Sequence, residues 1–348
     1  MVSFFLVLGI SFLDFITSNE VDFFVYYSIP VIIITWYGGM KSGFLMAFLA
    51  LLSWLADNYY GRAGETLHFI SIWNLGIQLI FFLLLVILIY SIKYFVNEIE
   101  EAEKLKVRKE RELAKKVQQK FFPQYNPEFL GIEYFGKSIP ADSVGGDFYD
   151  YFKLNEDKIS FLIGDIKGHG LASALLMAGT EGNIRSNALI CGGNPSELVS
   201  KVNRFFCNTS DSSDFASFLY SVIDIKTREI KFVNAGHNPP LIFDIKNKRT
   251  VDSNESDLLI GIMESANYKE TTAVFNSGDI ILLYTDGITE VMNTKNEQYG
   301  VEKLKTLIIE NYNLTAGEIF NKIIEDITRF SGNGNFDDDV TGVVIKIV

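Results

Sequence analysis

Positive charge is scarce in this sequence: 31 Lys and Arg residues stand against 43 Asp and Glu residues, which leaves a formal net charge of −12. A chain with no strongly basic region lacks the means to neutralise nucleic-acid phosphates, so we expect no nucleic-acid partner. Cysteine is scarcer still, with Cys191 and Cys207 as the only two. Two distant cysteines build neither a disulfide framework nor a metal cluster, and they fit a reducing compartment. Neither has an arginine six positions further on, which excludes phosphatases with a cysteine nucleophile.

Charge and hydropathy divide the chain into unlike parts. The mean hydropathy is +0.17, which is high for so acidic a protein. Residues 1–93 contain three basic and five acidic residues, whereas residues 121–348 contain 20 and 32 and so carry a net charge of −12 by themselves. Because 48% of the residues are hydrophobic, a disordered chain is excluded. The sequence therefore predicts an apolar N-terminal region followed by an acidic domain.

The N-terminal region contains four apolar runs. They cover residues 2–16, 21–37, 42–56 and 69–92. A helix needs about 20 apolar residues to cross a bilayer, and the chain lacks the basic start of a cleaved signal peptide. We therefore predict a transmembrane region of about four helices over residues 1–92. The turn that contains Lys41 and the basic segment after residue 93 favour the cytoplasmic side, so the prediction is a multi-pass cell-membrane protein whose C-terminal domain is cytoplasmic.

Residues 93–120 predict a charged helix that links membrane and domain. The segment has no Gly or Pro and is rich in Glu, Lys, Arg and Leu, which are strong helix formers. Its heptad pattern is imperfect, because Lys106 shares a phase with Ile99 and Leu113. A signalling helix that pairs in a homodimer and a plain spacer are both open at this point.

Residues 121–348 alternate between short strands and helices, which predicts an α+β domain with antiparallel sheets. The expected strands lie at residues 159–163, 218–223, 230–233, 280–284 and 340–347, and the expected helices at 170–190, 194–208, 301–312 and 315–330. Asn194 and Thr315 are capping residues at the starts of two of these helices, and residues 224–230 have the pattern of a hairpin turn.

Aspartates recur where these strands meet glycine-containing turns. Asp147 follows two glycines, Asp165 and Asp286 each end an apolar run, and residues 337–339 are three aspartates directly before the last strand. Carboxylates drawn from distant parts of a chain to the ends of strands are the ligands that hard cations prefer. Four such positions together predict a metal site.

The same aspartates lie within five ordered motifs. These are residues 141–150 (ADSVGGDFYD), 163–170 (IGDIKGHG), 234–240 (NAGHNPP), 284–290 (YTDGITE) and 338–341 (DDVT). The series resembles the SpoIIE/RsbU-type PPM phosphatases, the bacterial metal-dependent protein serine phosphatases. Residues 118–123, with two glutamines and a proline, also resemble the start of such domains, so the resemblance runs from about residue 117 to the C-terminus.

The resemblance implies a β-sandwich of two antiparallel sheets flanked by helices, preceded here by the helical membrane bundle. It also implies two Mn²⁺ or Mg²⁺ ions. In this sequence Asp165 would bridge both ions, and the further ligands would be Asp147, the backbone carbonyl of Ile166, Asp286 and Asp338. Gly287 and Asp339 are further candidates, and Asp339 is the alternative to Asp338 because three consecutive aspartates blur the register.

The implied activity is hydrolysis of phosphoserine or phosphothreonine by a water that the two ions activate. The implied partner is a phosphorylated cytoplasmic protein, in particular a STAS-type anti-sigma-factor antagonist. A catalytically inactive, membrane-tethered binding module of the same fold is the alternative. His169 receives no role, and His237 is interpreted as a structural turn residue. No arginine matches the phosphate-binding arginine of eukaryotic relatives, so the residues that bind the substrate are not identified.

Overall fold

The computed structural model describes most of the chain. The described residues are 2–16, 24–61, 69–141, 144–168, 170–247, 249–251, 256–332, 334 and 336–348. The chain divides into two compact units, Met1–Arg108 and Lys109–Val348, and the boundary between them falls inside a helix. Each unit has a core of its own.

The N-terminal unit is built from apolar helices. Helix α1 is Val2–Ile16, a 3₁₀ turn covers Phe24–Tyr27, α2 is Ser28–Gly61 and α3 is Phe69–Gln118. Gly39 has φ 80° and ψ 179° and interrupts α2 between the second and third predicted runs, at a conformation that glycine tolerates. The fourth predicted run and the predicted linker form one continuous helix of 50 residues, which ends five positions before Pro123.

A small core holds these helices together and leaves much apolar surface outside. Val7, Tyr27, Ala50 and Phe82 are among its buried residues, while many large apolar side chains, including Trp73, remain exposed. Within the described residues, Phe24–Ala56 and Trp73–Gln118 are long and apolar enough to cross a membrane, judged by length and composition, and Val2–Asp14 is a shorter apolar helix. Two long apolar helices of this kind are consistent with the predicted membrane region.

The C-terminal unit contains two five-stranded antiparallel sheets, as predicted. The first has the order β1-β10-β9-β6-β7 and the second the order β2-β3-β4-β5-β8. The strands of the first sheet are β1 (Ile132–Ile139), β6 (Leu241–Asp244), β7 (Arg249–Val251), β9 (Ile280–Tyr284) and β10 (Val340–Ile347). Those of the second are β2 (Asp147–Lys153), β3 (Lys158–Ile166), β4 (Ala216–Asp224), β5 (Glu229–Ala235) and β8 (Thr271–Val274).

The two sheets stack face to face, and helices cover their outer faces. Side chains from both sheets, such as Phe161, Leu219, Ile281 and Val343, share one buried cluster. Helices α4 (Leu171–Ala188) and α5 (Pro195–Thr209) pack on the second sheet, and α7 (Val301–Glu310) and α8 (Ala316–Ser331) on the first. The short helix α6 is Asp286–Thr289. Because apolar faces need cover on both sides, this layering explains why the inner strands β3, β4, β9 and β10 are almost fully buried.

Local signals in the sequence set several boundaries. The Asn194 side chain accepts a hydrogen bond from the Glu197 amide at 3.1 Å, and Thr315 forms a reciprocal capping box with Glu318. In the turn between β2 and β3, Asn155 Oδ1 accepts hydrogen bonds from the amides of Asp157 and Lys158, both at 2.9 Å. This turn sets the pairing of two strands that carry aspartates at their other end.

Candidate metal centre

Asp147 and Asp165 face each other across the second sheet. Asp147 begins β2 and Asp165 lies one residue before the end of β3, and the antiparallel register pairs them directly. Directly opposed residues point to the same face of a sheet, so the two carboxylates share one side. Asp147 therefore starts a strand instead of ending one, which the sequence pattern did not indicate.

The loop before Asp147 has room for glycine alone. A Cβ on Gly146 would lie 2.4 Å from the backbone oxygen of Ile166 and 3.1 Å from Asp165 Oδ1. The Ile166 amide donates to the Gly146 carbonyl at 3.3 Å, which keeps the two segments together. The absence of a side chain therefore allows the Ile166 carbonyl and the Asp165 carboxylate to lie against this loop.

The first sheet supplies the other aspartates at the same end of the sandwich. Asp286 comes two residues after β9, and Asp338 comes two residues before β10, the neighbouring antiparallel strand. Thr285 joins the sheets: its Oγ1 donates to Asp147 Oδ2 at 2.8 Å, and its amide donates to the Thr341 carbonyl at 3.0 Å. Residues separated by more than 100 positions therefore meet at one edge.

Burial and neighbouring carboxylates raise the pKa values of Asp147, Asp165 and Asp286. Burial raises the pKa of Asp165 to about 7, and the charges of Asp286, Asp338 and Asp339 add to this. Burial and the charge of Asp165 raise the pKa of Asp147, while hydrogen bonds from Thr341 and Thr285 oppose the rise. Burial and the charge of Asp338 raise the pKa of Asp286. Such mutual repulsion is what bound cations would relieve.

The donor set suits a hard cation. Carboxylate oxygens and one backbone carbonyl are the ligands that Mg²⁺ and Mn²⁺ prefer, and Cys191 and Cys207 lie elsewhere in the fold. In the part of the chain that the structure describes, no three Asp, Glu, His or Cys side chains are arranged to hold a metal ion as they stand. The backbone brings the candidate ligands to one edge, and their side chains would have to turn towards a common cation.

Asp338 and Asp339 differ in what they contact. Asp339 is buried, and its carboxylate accepts hydrogen bonds from the amides of Ala141 at 2.8 Å and Asp147 at 3.4 Å. A Cβ on Gly145 would lie 1.8 Å from Asp339 Oδ2, so this side chain fills the space beside the glycine. Asp338 is exposed and acts electrostatically on Asp165 and Asp286. Asp339 thus holds the segments of Ala141 and Asp147 in place, whereas the exposed Asp338 accepts one hydrogen bond, from the Asp339 amide to its Oδ1 at 2.8 Å.

Gly287 brings two of these segments together. A Cβ on this glycine would lie 1.9 Å from the backbone oxygen of Asp339. Gly287 also donates a backbone hydrogen bond that lowers the pKa of Asp286. The close approach therefore sets the separation between Asp286 and the acidic segment before β10, and a metal-ligand role is unnecessary to explain the residue.

His237 is held in a turn. Asn234 accepts a hydrogen bond from the His237 amide at 2.8 Å and donates one to its carbonyl at 2.9 Å. The ring is buried, and its Nδ1 lies 2.7 Å from Ser217 Oγ. Burial lowers the pKa of His237 to about 4, and the effect of the Tyr284 backbone, which raises this pKa, is smaller. Among the described residues, Nε2 has no hydrogen-bond partner. The ring is therefore neutral near pH 7. His169 lies outside the described residues.

A cavity of about 320 Å³ opens beside Asp165 and Asp286. Lys167, Phe215, Ser217 and His237 line it on other sides. Arg185 is engaged elsewhere: its guanidinium contacts Asp150 at 2.7 Å and Glu181 at 3.2 Å. The cavity thus gives access to two of the candidate ligands, and Arg185 is not among the residues that line it.

The two carboxylates that Arg185 contacts are buried, although the arginine itself is exposed. Burial raises the pKa of Asp150 to about 6 and that of Glu181 to about 8, in both cases against the effect of the guanidinium. Arg185 also lies over the ring of Phe152, with 5.4 Å between the guanidinium carbon and the ring centroid. Arg185 therefore connects α4 to β2 through its contacts with Asp150 and Phe152.

Gln118, the last residue of α3, reaches the same loop as the aspartates. Its Nε2 donates to the Gly145 carbonyl at 2.7 Å, and its Oε1 accepts from the Gly145 amide at 3.3 Å. The side chain is buried. One amide therefore satisfies both backbone groups of a residue that lies two positions before Asp147.

Comparison with known proteins identifies the class. The chain is similar to the SiaA-PP2C domain of Pseudomonas aeruginosa, with a TM-score of 0.63 and 18% identity over 71% of this chain and 98% of that one. Two stacked antiparallel sheets with flanking helices are thus the PP2C-like fold, as predicted. Residues 155–348 match the family model described as Stage II sporulation protein E (SpoIIE), and the chain belongs to this family.

Relatives in Bacillus subtilis (strain 168) extend the similarity. The chain is 26% identical to phosphoserine phosphatase RsbU over 265 residues, which are 76% of this chain and 78% of RsbU. It is 28% identical to phosphoserine phosphatase RsbP over 199 residues, and spans 47% of that protein. Family, fold and relatives together confirm the predicted class, a protein phosphatase.

Proposed function

We propose that this chain is a membrane-anchored phosphatase that removes phosphate from serine or threonine of a cytoplasmic regulatory protein. The observation that carries the proposal is the meeting of Asp147 and Asp165 of one sheet with Asp286 and Asp338 beside the other, next to an open cavity. RsbU and RsbP, the relatives described as phosphoserine phosphatases, support the choice of substrate.

In this proposal the aspartates hold two Mn²⁺ or Mg²⁺ ions. Asp165, the Ile166 carbonyl, Asp286 and Asp338 would hold the ions, with Asp165 as the ligand shared by both, and Asp147 would contribute directly or through water. Two such ions lower the pKa of a water and offset negative charge on the phosphoryl oxygens. The raised pKa values of Asp165 and Asp286 support a cationic partner for this cluster.

The surrounding residues keep the ligands in position. Thr285 orients the Asp147 carboxylate from the opposite sheet through its hydrogen bond of 2.8 Å. Asp339 accepts hydrogen bonds from the amides of Ala141 and of Asp147, the first residue of β2, and Gly146 leaves room for the Ile166 carbonyl. We assign Asp339 and Gly287 to positioning.

The N-terminal helices serve in this proposal as a multi-pass anchor with both termini in the cytoplasm. Support comes from the two long apolar helices, from their exposed apolar side chains, which suit contact with lipid, and from Lys41 and the basic stretch of α3. Ile99, Leu113 and Val117 are exposed on α3, where a second copy of the chain would cover them. The substrate we propose, from the resemblance, is a STAS-type anti-sigma-factor antagonist.

Metal dependence is the first test. The full-length chain, purified in detergent, should hydrolyse a serine-phosphorylated STAS-type protein with Mn²⁺ or Mg²⁺, lose this activity in EDTA and regain it when the metal is restored. Release of inorganic phosphate is the measurement. Turnover that persists in EDTA contradicts the dimetal proposal. Tight binding of the phosphoprotein with no turnover under any metal supports the inactive binding module instead.

Substitutions of Asp338 and Asp339 should have different effects, the first on activity and the second on stability. Asp338→Asn should reduce kcat/KM by about 100-fold or more with little change in the thermal unfolding midpoint, because Asp338 is an exposed proposed ligand whose charge acts on Asp165 and Asp286. Asp339→Asn should lower the free energy of unfolding by about 1–3 kcal/mol, because its buried carboxylate accepts two backbone hydrogen bonds. The opposite pattern would make Asp339 the ligand.

A further inference from the structure

The cavity beside the aspartates has a cation at its edge. Lys167 follows Ile166 directly at the end of β3 and lines the cavity together with Asp165 and Asp286. We propose that Lys167 binds the phosphoryl group of the substrate and guides it to the metal centre. This inference rests on the proposed phosphatase function and names the residue that the sequence left unidentified.

A backbone hydrogen bond holds Lys167 in place beside the cavity. Its amide donates to the Phe215 carbonyl at 3.0 Å, which ties the end of β3 to the segment before β4. The neighbouring Ile166 carbonyl is one of the proposed metal ligands. The Lys167 side chain therefore starts beside the proposed metal centre, because its backbone belongs to the same short segment as Asp165.

Contacts orient the Lys167 ammonium group, but they do not use all of its hydrogen-bond donors. Nζ donates to the Ser213 carbonyl at 3.2 Å and lies 4.8 Å from the centroid of the Phe215 ring. A lysine ammonium has three N–H donors, so one hydrogen bond to Ser213 leaves two for a phosphoryl oxygen. The cation–π contact limits the positions of the flexible chain, which reduces the entropy lost when an anion binds.

The negative charge around the cavity explains why a phosphorylated substrate needs a lysine here. The domain of residues 121–348 has a net charge of −12, and Asp165 and Asp286 add negative charge at the cavity itself. A phosphorylated side chain is close to a dianion near pH 7, so an approaching substrate meets repulsion before it reaches the metal ions. Among the described residues that line the cavity, Lys167 alone carries positive charge.

The remaining polar groups of the cavity supply hydrogen bonds without charge. Ser217 Oγ and His237 Nδ1 bond each other at 2.7 Å, and burial holds the pKa of His237 at about 4, so the ring stays neutral. Asn238 is an uncharged amide. Electrostatic selection for an anion at this cavity therefore depends on Lys167.

The test compares three variants of the full-length chain. Lys167→Ala removes the charge, Lys167→Arg retains it, and Lys303→Ala removes a matched charge from α7, where Lys303 Nζ lies 4.0 Å from the Phe330 ring centroid. The probe is a fluorescein-labelled peptide that carries the non-hydrolysable phosphonate analogue of phosphoserine. Its Kd, measured by anisotropy with Mg²⁺, should rise about tenfold in Lys167→Ala, a typical loss for one charge-assisted hydrogen bond. Lys167→Arg should stay within about threefold, and Lys303→Ala should match the unmodified chain.

Turnover provides a second readout. With a phosphoserine protein and Mn²⁺, Lys167→Ala should raise KM about tenfold, change kcat by less than about threefold and leave the Mn²⁺ concentration for half-activation unchanged. An unchanged Kd for the phosphonate peptide, or equal losses in Lys167→Ala and Lys303→Ala, overturns the assignment. The proposed function fails by a different result, namely absence of metal-dependent hydrolysis by the unmodified chain, and the peptide-binding measurement tests Lys167 in that case too.

Discussion

Replacing Asp165 with asparagine should lower kcat/KM for a phosphoserine protein by about 10³-fold or more. Asp165 is the proposed bridge between two cations, so the variant loses a ligand of both and their activation of water. Asparagine has nearly the same size, and the strand pairing of β3 with β2 and β4 does not depend on the side chain. The protein should therefore fold with its metal centre disabled.

The same variant should keep or increase its stability in EDTA. Burial and the charges of Asp286, Asp338 and Asp339 raise the pKa of Asp165 to about 7, which means that the ionised group is destabilising in the folded chain. Asparagine removes that charge, so the thermal unfolding midpoint should be unchanged or higher. Loss of activity together with a lower midpoint would indicate misfolding, whereas a folded variant that keeps its metal-dependent activity would contradict the bridging role.

Asp337→Asn is the matched control for Asp165→Asn. Asp337 is exposed in the same acidic run before β10 and has no part in the proposed centre. Its removal also changes the net charge by one, and activity should stay within about twofold because a screened surface charge contributes little. Equal losses in both variants would show that total charge, and not metal ligation, governs the activity.

Gly287→Ala should damage both stability and activity. The added methyl would lie 1.9 Å from the Asp339 carbonyl oxygen, a backbone atom that cannot move alone. Relief of the clash separates the start of α6 from the segment before β10, and with it Asp286 from Asp338. We expect a loss of about 1–3 kcal/mol in the free energy of unfolding and at least about tenfold in kcat/KM.

Gly182→Ala provides the comparison for this variant. Gly182 lies within α4, and a Cβ there would meet nothing within 4 Å. Alanine in a helix should stabilise the chain by about 0.5–1 kcal/mol relative to glycine and leave activity unchanged. Thermal unfolding and phosphate release measure both variants. If Gly287→Ala is as well tolerated as Gly182→Ala, the close approach at Asp339 does not constrain the centre.

Much of this architecture could be predicted from the sequence because its signals are local. The capping residues Asn194 and Thr315 start helices where expected, and the apolar runs at 280–284 and 340–347 are strands. The sequence did not predict strand β2, because its motif contains two glycines and three aspartates, a composition typical of a loop. The strand exists because its aspartates are partnered: Thr285 binds Asp147, and Arg185 binds Asp150.

The division of labour between Asp338 and Asp339 could not be predicted from the sequence. It depends on the amides of Ala141 and Asp147, which lie 198 and 192 positions away along the chain. Lys167 was inside a recognised motif but had no assigned role, since its relation to the cavity depends on Phe215 and Ser213. Long-range contacts of this kind appear only once the sheets are assembled.

The turn at Asn155 constrains the chain more than its surface position suggests. Six paired residues of β2, from Phe148 to Lys153, lie between this turn and Asp147, which is about 20 Å at the usual rise of a strand. Side chains alternate between faces, so a one-residue insertion taken up by the ladder would set Asp165 against a neighbour of Asp147 whose side chain points the other way. Insertions and deletions that shift the register from this remote turn should therefore be selected against as strongly as substitutions of the aspartates, and natural length variation should accumulate where it leaves the pairing of β2 with β3 unchanged.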